Sequence, residues 1–203
     1  MNTVLNTPTK IRYEIMRSML GSLKNKTLLD VGAGSNPISK KISTKKTILA
    51  DALNLKNIDI VIDLRKKLFP KKLLVDAIVC GELLEHLQNN FDVLLEFNRV
   101  LSKNGKLVLS VPNICSLKNR FKVLAGQLPE HCARPNLSVD FENHIVDFNK
   151  KELIRLLIAA GFEVLEVRGN GIVLHEKLIW PLVLTPSSFS DTIIIKAIKN
   201  EEK

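Results

Sequence analysis

Two glycines, a set of acids at the ends of apolar runs, and a pair of histidines are the residues of this chain that could do chemistry. Gly32 and Gly34 flank Ala33 directly after the apolar run Leu28, Leu29, Val31, which carries one acid, Asp30. That pattern reads as a buried strand breaking into a tight turn, where glycine allows positive φ and a close approach of backbone to a ligand. Helix-compatible residues follow, so backbone N–H groups would face whatever sits over the turn. Asp51, Asp63 and Glu82 each stand at the carboxyl end of a later apolar run. Asp51 lies about twenty residues past the turn, where an acid can accept hydrogen bonds from a ribose diol. A dinucleotide site would carry a third glycine where this chain has Pro37, and no phosphate-cradling lysine motif is present. A nucleoside without a pyrophosphate suits the pattern better.

Glu82, Glu85 and His86 form Glu-x-x-Glu-His, and His144 follows in a segment expected to fold back over the strand ends. Two carboxylates and two imidazoles could bind a divalent cation. The same histidines could instead serve as a base or acceptor contact, or simply wall a pocket. The three cysteines, Cys80, Cys115 and Cys132, are odd in number and show no CxxC spacing. Neither a disulfide framework nor a thiolate zinc site is suggested.

The elements that must position these residues alternate. A helix is expected from Thr9 to Leu23, then strands over Thr27–Val31, Thr47–Ala50, Ile58–Ile62 and Val75–Val79, with a short basic helical connection from Pro37 to Lys46. A helix from Phe91 to Leu101, capped by Asn90 and stopped at Asn104-Gly105, leads to a strand over Lys106–Val111. Asn149 and Glu152 make a capping-box-like start to a helix whose inner stripe is Leu153, Leu156, Leu157 and Ala160. Strands at Phe162–Val167 and Thr192–Ile198 close the chain. Such alternation predicts a doubly wound, mostly parallel α/β sheet covered on both faces, with ligands beyond the carboxyl ends of its strands. Residues 113–148 break the pattern and read as a lid and acceptor segment, with an amphipathic helix over Asn119–Gly126.

A length of 203 residues suits a single domain over 1–203. No apolar run is long enough to span a bilayer, and the first ten residues lack the apolar core of a signal peptide, so a cytoplasmic location is expected. The net charge of +9 gathers in lysine pairs at 40–41, 45–46, 66–67 and 71–72. These form either a solvated face or an attraction for an anionic partner. With one Tyr and one Trp, base stacking of the kind single-strand binders use has little support. The apolar stretch Leu178–Leu184 packs on its own domain or offers a patch to a partner or lipid-like substrate.

Taken together, these motifs resemble those of the class I S-adenosylmethionine-dependent methyltransferases, over nearly the whole chain. Leu28-Leu-Asp-Val-Gly-Ala-Gly-Ser-Asn-Pro37 is similar to the family's first motif. Asp51 stands at its ribose acid, Asp63-Leu64 at its adenine-flanking pair, and Cys80-Gly-Glu-Leu-Leu-Glu-His-Leu87 at its Ser-Glu-Val-Leu-Glu-His segment. Asn104 departs from the usual Pro or Gly, and the connections between strands two, three and four are too short for full helices. The resemblance implies a Rossmann-like seven-stranded sheet with an antiparallel last strand. It also implies S-adenosylmethionine as cofactor, with S-adenosylhomocysteine as product. Cofactor contacts would then come from Asp30, Gly32, Ala33, Gly34, Asp51, Ala52, Asp63, Leu64, Cys80, Gly81 and Glu82. His86 and His144 are the catalytic candidates. Glu82, Glu85, His86 and His144 are a candidate metal set, similar in spacing to ubiquinone-pathway O-methyltransferases and small-RNA 2′-O-methyltransferases. The expected acceptor is a small molecule taking the methyl on oxygen or nitrogen. The alternatives are an RNA 2′-hydroxyl or a non-catalytic module that only binds the cofactor.

Overall fold

The computed structural model describes residues 7–133, 144–174, 177–180 and 185–200. Seven strands form one sheet: β1 (Leu23–Val31), β2 (Thr44–Asp51), β3 (Ile60–Val61), β4 (Val75–Gly81), β5 (Leu101–Pro112), β6 (Phe162–Gly169) and β9 (Thr192–Lys199). Their order is β3-β2-β1-β4-β5-β9-β6. β1 runs parallel to β2 and β4, β2 to β3, and β4 to β5. β9 inserts antiparallel between β5 and β6. This is the expected Rossmann-like arrangement, its strand order reversing direction at β1. The short strands β7 (Ile172–Leu174) and β8 (Lys177–Trp180) pair as a separate antiparallel hairpin.

Side chains alternate across a strand, and the central strands bury both sets. Leu29, Val31, Ile78, Leu107, Leu109 and Ile195 face one way, with α2 (Asn90–Val100) and α4 (Lys150–Ala159) supplying Leu94, Phe97, Leu153 and Leu157 to the same core. Leu28, Ala77, Val79, Val108 and Ile194 face the other way, against Met16, Met19 and Leu20 of α1 (Thr7–Leu20). Each of those three side chains contributes about 1.5–3 kcal/mol by its burial. α1 is therefore an integral layer and not a loose leader. Gly21, at φ +67°, ends it with an N–H bond to the Arg17 carbonyl.

Several elements differ from the sequence reading, for identifiable reasons. The basic connection after the glycine turn is only a 3₁₀ turn, Ile38–Lys41, because β2 already begins at Thr44. The strand expected at Ile58–Ile62 shrinks to two residues, as Asp59 turns back to accept the Leu49 N–H. β5 starts at Leu101, not Lys106: Leu101 pairs with Val75 before the register shifts, and the extra residues bulge out with Asn104 at φ +56°. Asn90 does not cap α2; its amide bonds the Leu87 carbonyl instead. The predicted lid helix is present as α3 (Leu117–Leu124), capped by the Ser116 hydroxyl. Asn149 caps α4 through its side-chain oxygen and the Glu152 N–H. Residues 134–143 of the lid segment and 181–184 of the apolar stretch lie outside the described residues.

Candidate active site

The glycine turn sits at the carboxyl end of β1, where the strand order switches. Gly32 and Gly34 hold φ of +71° and +52°, the conformation for which glycine was expected there. Gly32 and Ala33 donate their N–H groups to the Ala50 carbonyl at 2.9 and 3.2 Å, which locks the turn onto β2. Asp51, at the end of β2, accepts the Gly34 N–H on one oxygen and the Leu53 N–H on the other, at 2.9 and 2.8 Å. Its carboxylate is thereby fixed in orientation while each oxygen keeps acceptor capacity.

Beneath this turn the site residues separate into two layers. Asp51, Ala52, Gly32, Asp63 and Leu64 line an apolar cleft of about 250 Å³, together with Ile62, Leu83 and Leu87. Asp30, Ala33, Gly34, Cys80 and Gly81, which were also expected at the cofactor, are not among the residues lining it. Asp30 is fully buried and accepts the Ser39 N–H at 2.8 Å, so it ties down the 3₁₀ turn; its other oxygen has no hydrogen-bond partner. Burial pushes its pKa up to about 6, partly offset by the bonds from Ser39 and Ile38. Cys80 is buried in the core, and burial raises its thiol well above the ordinary value. A Cβ on Gly81 would meet the Ile38 side chain, so this glycine faces the helical layer. Asp63 is on the cleft wall, but its carboxylate is gripped by both Nε and Nη2 of Arg65 at 2.9 Å. That pairing holds its pKa below the usual range.

A second cavity, of about 320 Å³, opens beside the first and has a different character. Glu82, at φ +51°, points into it; Ser110 Oγ donates to Oε1 at 3.0 Å and Arg12 pairs with Oε2 at 3.1 Å. Glu85 is 1% exposed and neither carboxyl oxygen has a hydrogen-bond partner. Burial, and then the Glu82 charge, raise its pKa well above the ordinary value. The Glu85 carbonyl accepts N–H bonds from Ile145 and Val146 at 2.8 and 3.1 Å. This backbone clamp carries His144 against His86, with ring centroids 4.8 Å apart and nearly perpendicular. His144 Nδ1 bonds the His131 carbonyl at 2.6 Å. The burial of His131, reinforced by nearby His144 and Lys118, lowers its pKa.

Of the candidate metal set, Glu85, His86 and His144 place ligand atoms within 4.8 Å of one another. Glu82 is outside that group because Arg12 and Ser110 engage it. Sequence reasoning missed Arg12, Lys118, Glu130 and Asn113, all of which line the second cavity. Lys118 and Lys122 bond Glu130 and hold its pKa at about 2. Asn113 directly follows Pro112 at the end of β5, so the rule that strand ends gather ligands could have found it. Arg12 offered no such signal, since it lies within α1 and not at a strand end.

Among the described residues, His86 is the one that lines both cavities. An apolar cleft with a fixed acid thus meets a polar cavity across a single imidazole, an arrangement suited to bringing two different ligands together. A family model described as a methyltransferase domain matches residues 7–167. The chain belongs to the class I S-adenosylmethionine-dependent methyltransferases. No curated protein matches its sequence. Among solved structures, it resembles a Thermotoga maritima S-adenosylmethionine-dependent methyltransferase described as a possible histamine N-methyltransferase. The identity is 17% and the TM-score 0.67, over 95% of this chain and 92% of that one. Also similar is the Burkholderia thailandensis 1,6-didemethyltoxoflavin N1-methyltransferase, solved with its acceptor and S-adenosylhomocysteine. It is 13% identical, with a TM-score of 0.64 over 97% of this chain and 80% of that one. The N-methyltransferase NodS of Bradyrhizobium japonicum, solved with S-adenosylhomocysteine, is 14% identical, with a TM-score of 0.60 over 97% and 89% of the two chains. Among the described residues, no helix of this methyltransferase is long and apolar enough to cross a membrane.

Proposed function

We propose that the apolar cleft binds S-adenosylmethionine and that the polar cavity holds a small-molecule acceptor, methylated on oxygen or nitrogen. The observation that carries this reading is the single shared wall, His86. The cleft fits the donor on its own chemistry: backbone free of a side chain at Gly32, the carboxylate of Asp51 oriented by the Gly34 N–H for a diol, and Ile62, Leu64, Leu83 and Leu87 for a flat base. When bound, S-adenosylmethionine supplies a methyl group on a sulfonium, a good leaving group. What the protein must add is mainly alignment and dryness, and alignment of this sort supplies roughly 7–11 kcal/mol. His86 stands between donor and acceptor and can take the proton the acceptor gives up. Glu85, 3.8 Å from His86 Nε2, stabilises the resulting imidazolium.

Calorimetry with S-adenosylhomocysteine tests the donor half. The wild type should bind, and Asp51→Ala should bind at least ten-fold more weakly. Absence of binding to the wild type would overturn the reading. The acceptor half is read by S-adenosylhomocysteine release against a panel of small amines and phenols.

One observation favours a second reading, in which a divalent cation held by Glu85, His86 and His144 orients an acceptor hydroxyl and lowers its pKa. The buried, unpartnered carboxyl of Glu85 is what a cation would satisfy. Manganese titration followed by electron paramagnetic resonance should then show one tight site that His144→Ala removes. Undiminished transfer in excess chelator would sink this second reading.

A further inference from the structure

A third cavity joins the acceptor cavity at Asn113, the only described residue their linings share. It is an open groove of about 490 Å³ between α3 and the start of α4. Among the described residues four cations line it, Arg120, Lys150, Lys151 and Arg155, and no acid does. Among these, Arg120 is held in place. Its Nε donates to the Cys115 carbonyl at 2.8 Å, and its guanidinium lies 4.7 Å over the Phe189 ring. Asn113 is equally fixed, donating to the Ser188 and Ser190 carbonyls and accepting the Cys115 N–H. Arg155 leans on Glu152 at 3.3 Å, outside the groove. The contrast with the basic patch near Arg65, Lys66 and Lys67 is informative, because Asp92 and Glu96 share that surface and offset its charge.

We infer that this groove binds an oxyanion, a phosphate or carboxylate, carried by the acceptor molecule itself. The inference rests on the acceptor occupying the cavity beside His86. The acceptor would be elongated, with its nucleophile at His86 and its anionic end past Asn113. A guanidinium with a fixed plane recognises a two-oxygen edge, and the lysines add charge without geometry. Cations gathered in a concave surface, here Arg120, Lys150 and Lys151, also concentrate anions from solution.

Inorganic pyrophosphate is the probe, titrated at 150 mM salt into the full chain and followed by amide chemical shifts. The expected result is saturable binding that perturbs Asn149–Lys151 and Arg120 and weakens at least ten-fold in the double variant Lys150→Glu, Lys151→Glu. That variant adds acid to the first turn of a helix, which favours the fold. Its affinity for S-adenosylhomocysteine should match the wild type, so a failure here and a failure of the donor cleft remain distinguishable. Shifts spread equally over the lysine pairs at 40–41, 45–46, 66–67 and 71–72 would overturn the inference. So would a single-stranded RNA 20-mer that binds the same groove a hundred-fold more tightly than pyrophosphate, since the occupant would then be a nucleic acid.

Discussion

The proposed donor cleft is built on backbone: a turn with two glycines at positive φ, the Ala50 carbonyl that holds it, and an acid held by two N–H groups. The proposed acceptor cavity beside it is made of side chains in contact, Arg12 with Glu82, Lys118 with Glu130, His144 against His86. Backbone geometry at a strand end is dictated by local sequence and neighbouring strands. Side-chain pairings such as Arg12 with Glu82 and His86 with His144, between residues far apart in the chain, are dictated by the whole fold. The two regions should therefore respond differently to substitution: the donor side through conformation and desolvation beneath the turn, the acceptor side through displaced neighbours.

The largest effect is expected at Asp30, the buried acid under the donor turn. Its pKa is about 6 in the folded chain against 3.8 for the free side chain, so the folded state holds the proton more tightly. Asp30 therefore opposes folding above pH 6, and that penalty vanishes as pH falls below 3.8. Between these limits the wild type should lose about 3 kcal/mol, as pH rises, relative to Asp30→Asn. Urea unfolding of both proteins at pH 4 and pH 7 measures the difference. Equal pH slopes would place the ionisation elsewhere. Next in size is Gly169→Ala on the acceptor side. A Cβ there would run into Ser190, whose carbonyl receives the Asn113 side chain. We expect a loss of about 2–3 kcal/mol in thermal unfolding, with S-adenosylhomocysteine affinity preserved. A fall in that affinity would mean the two cavities are not built separately.

The smallest effect sharpens the comparison most. Gly34→Ala and Gly21→Ala place alanine at φ of +52° and +67°, and neither new Cβ meets an atom within 4 Å. Both should cost about 1–2 kcal/mol in unfolding free energy. Only the Gly34 variant should also lose affinity for S-adenosylhomocysteine, by about ten-fold. Matched affinities in calorimetry would show that the turn's conformation does not serve the ligand.

The same division explains what could be read from the residues alone. The central strands, the turn and the place of Asp51 at a strand end were legible because each follows from a local pattern: an apolar run, then glycine or acid at its end. α3 and the Asn149 cap were legible for the same reason. The layer to which a strand-end residue belongs was not. Asp30 shares β1 with the cleft residue Val31, but alternation turns it to the other face, and only its bond from the Ser39 N–H reveals what it holds. Arg12 was illegible because its partner, Glu82, lies seventy residues away on another element. The bulge before Lys106 escaped notice because Asn104-Gly105 spells a helix stop and a strand bulge equally well.

His86 lines both cavities, and under the proposed function that has a thermodynamic consequence. Whatever factor the filled donor cleft applies to acceptor affinity through that ring, the acceptor must apply to donor affinity in equal measure. Binding on the two sides is then one coupled equilibrium, and the order in which the ligands arrive cannot change its total free energy.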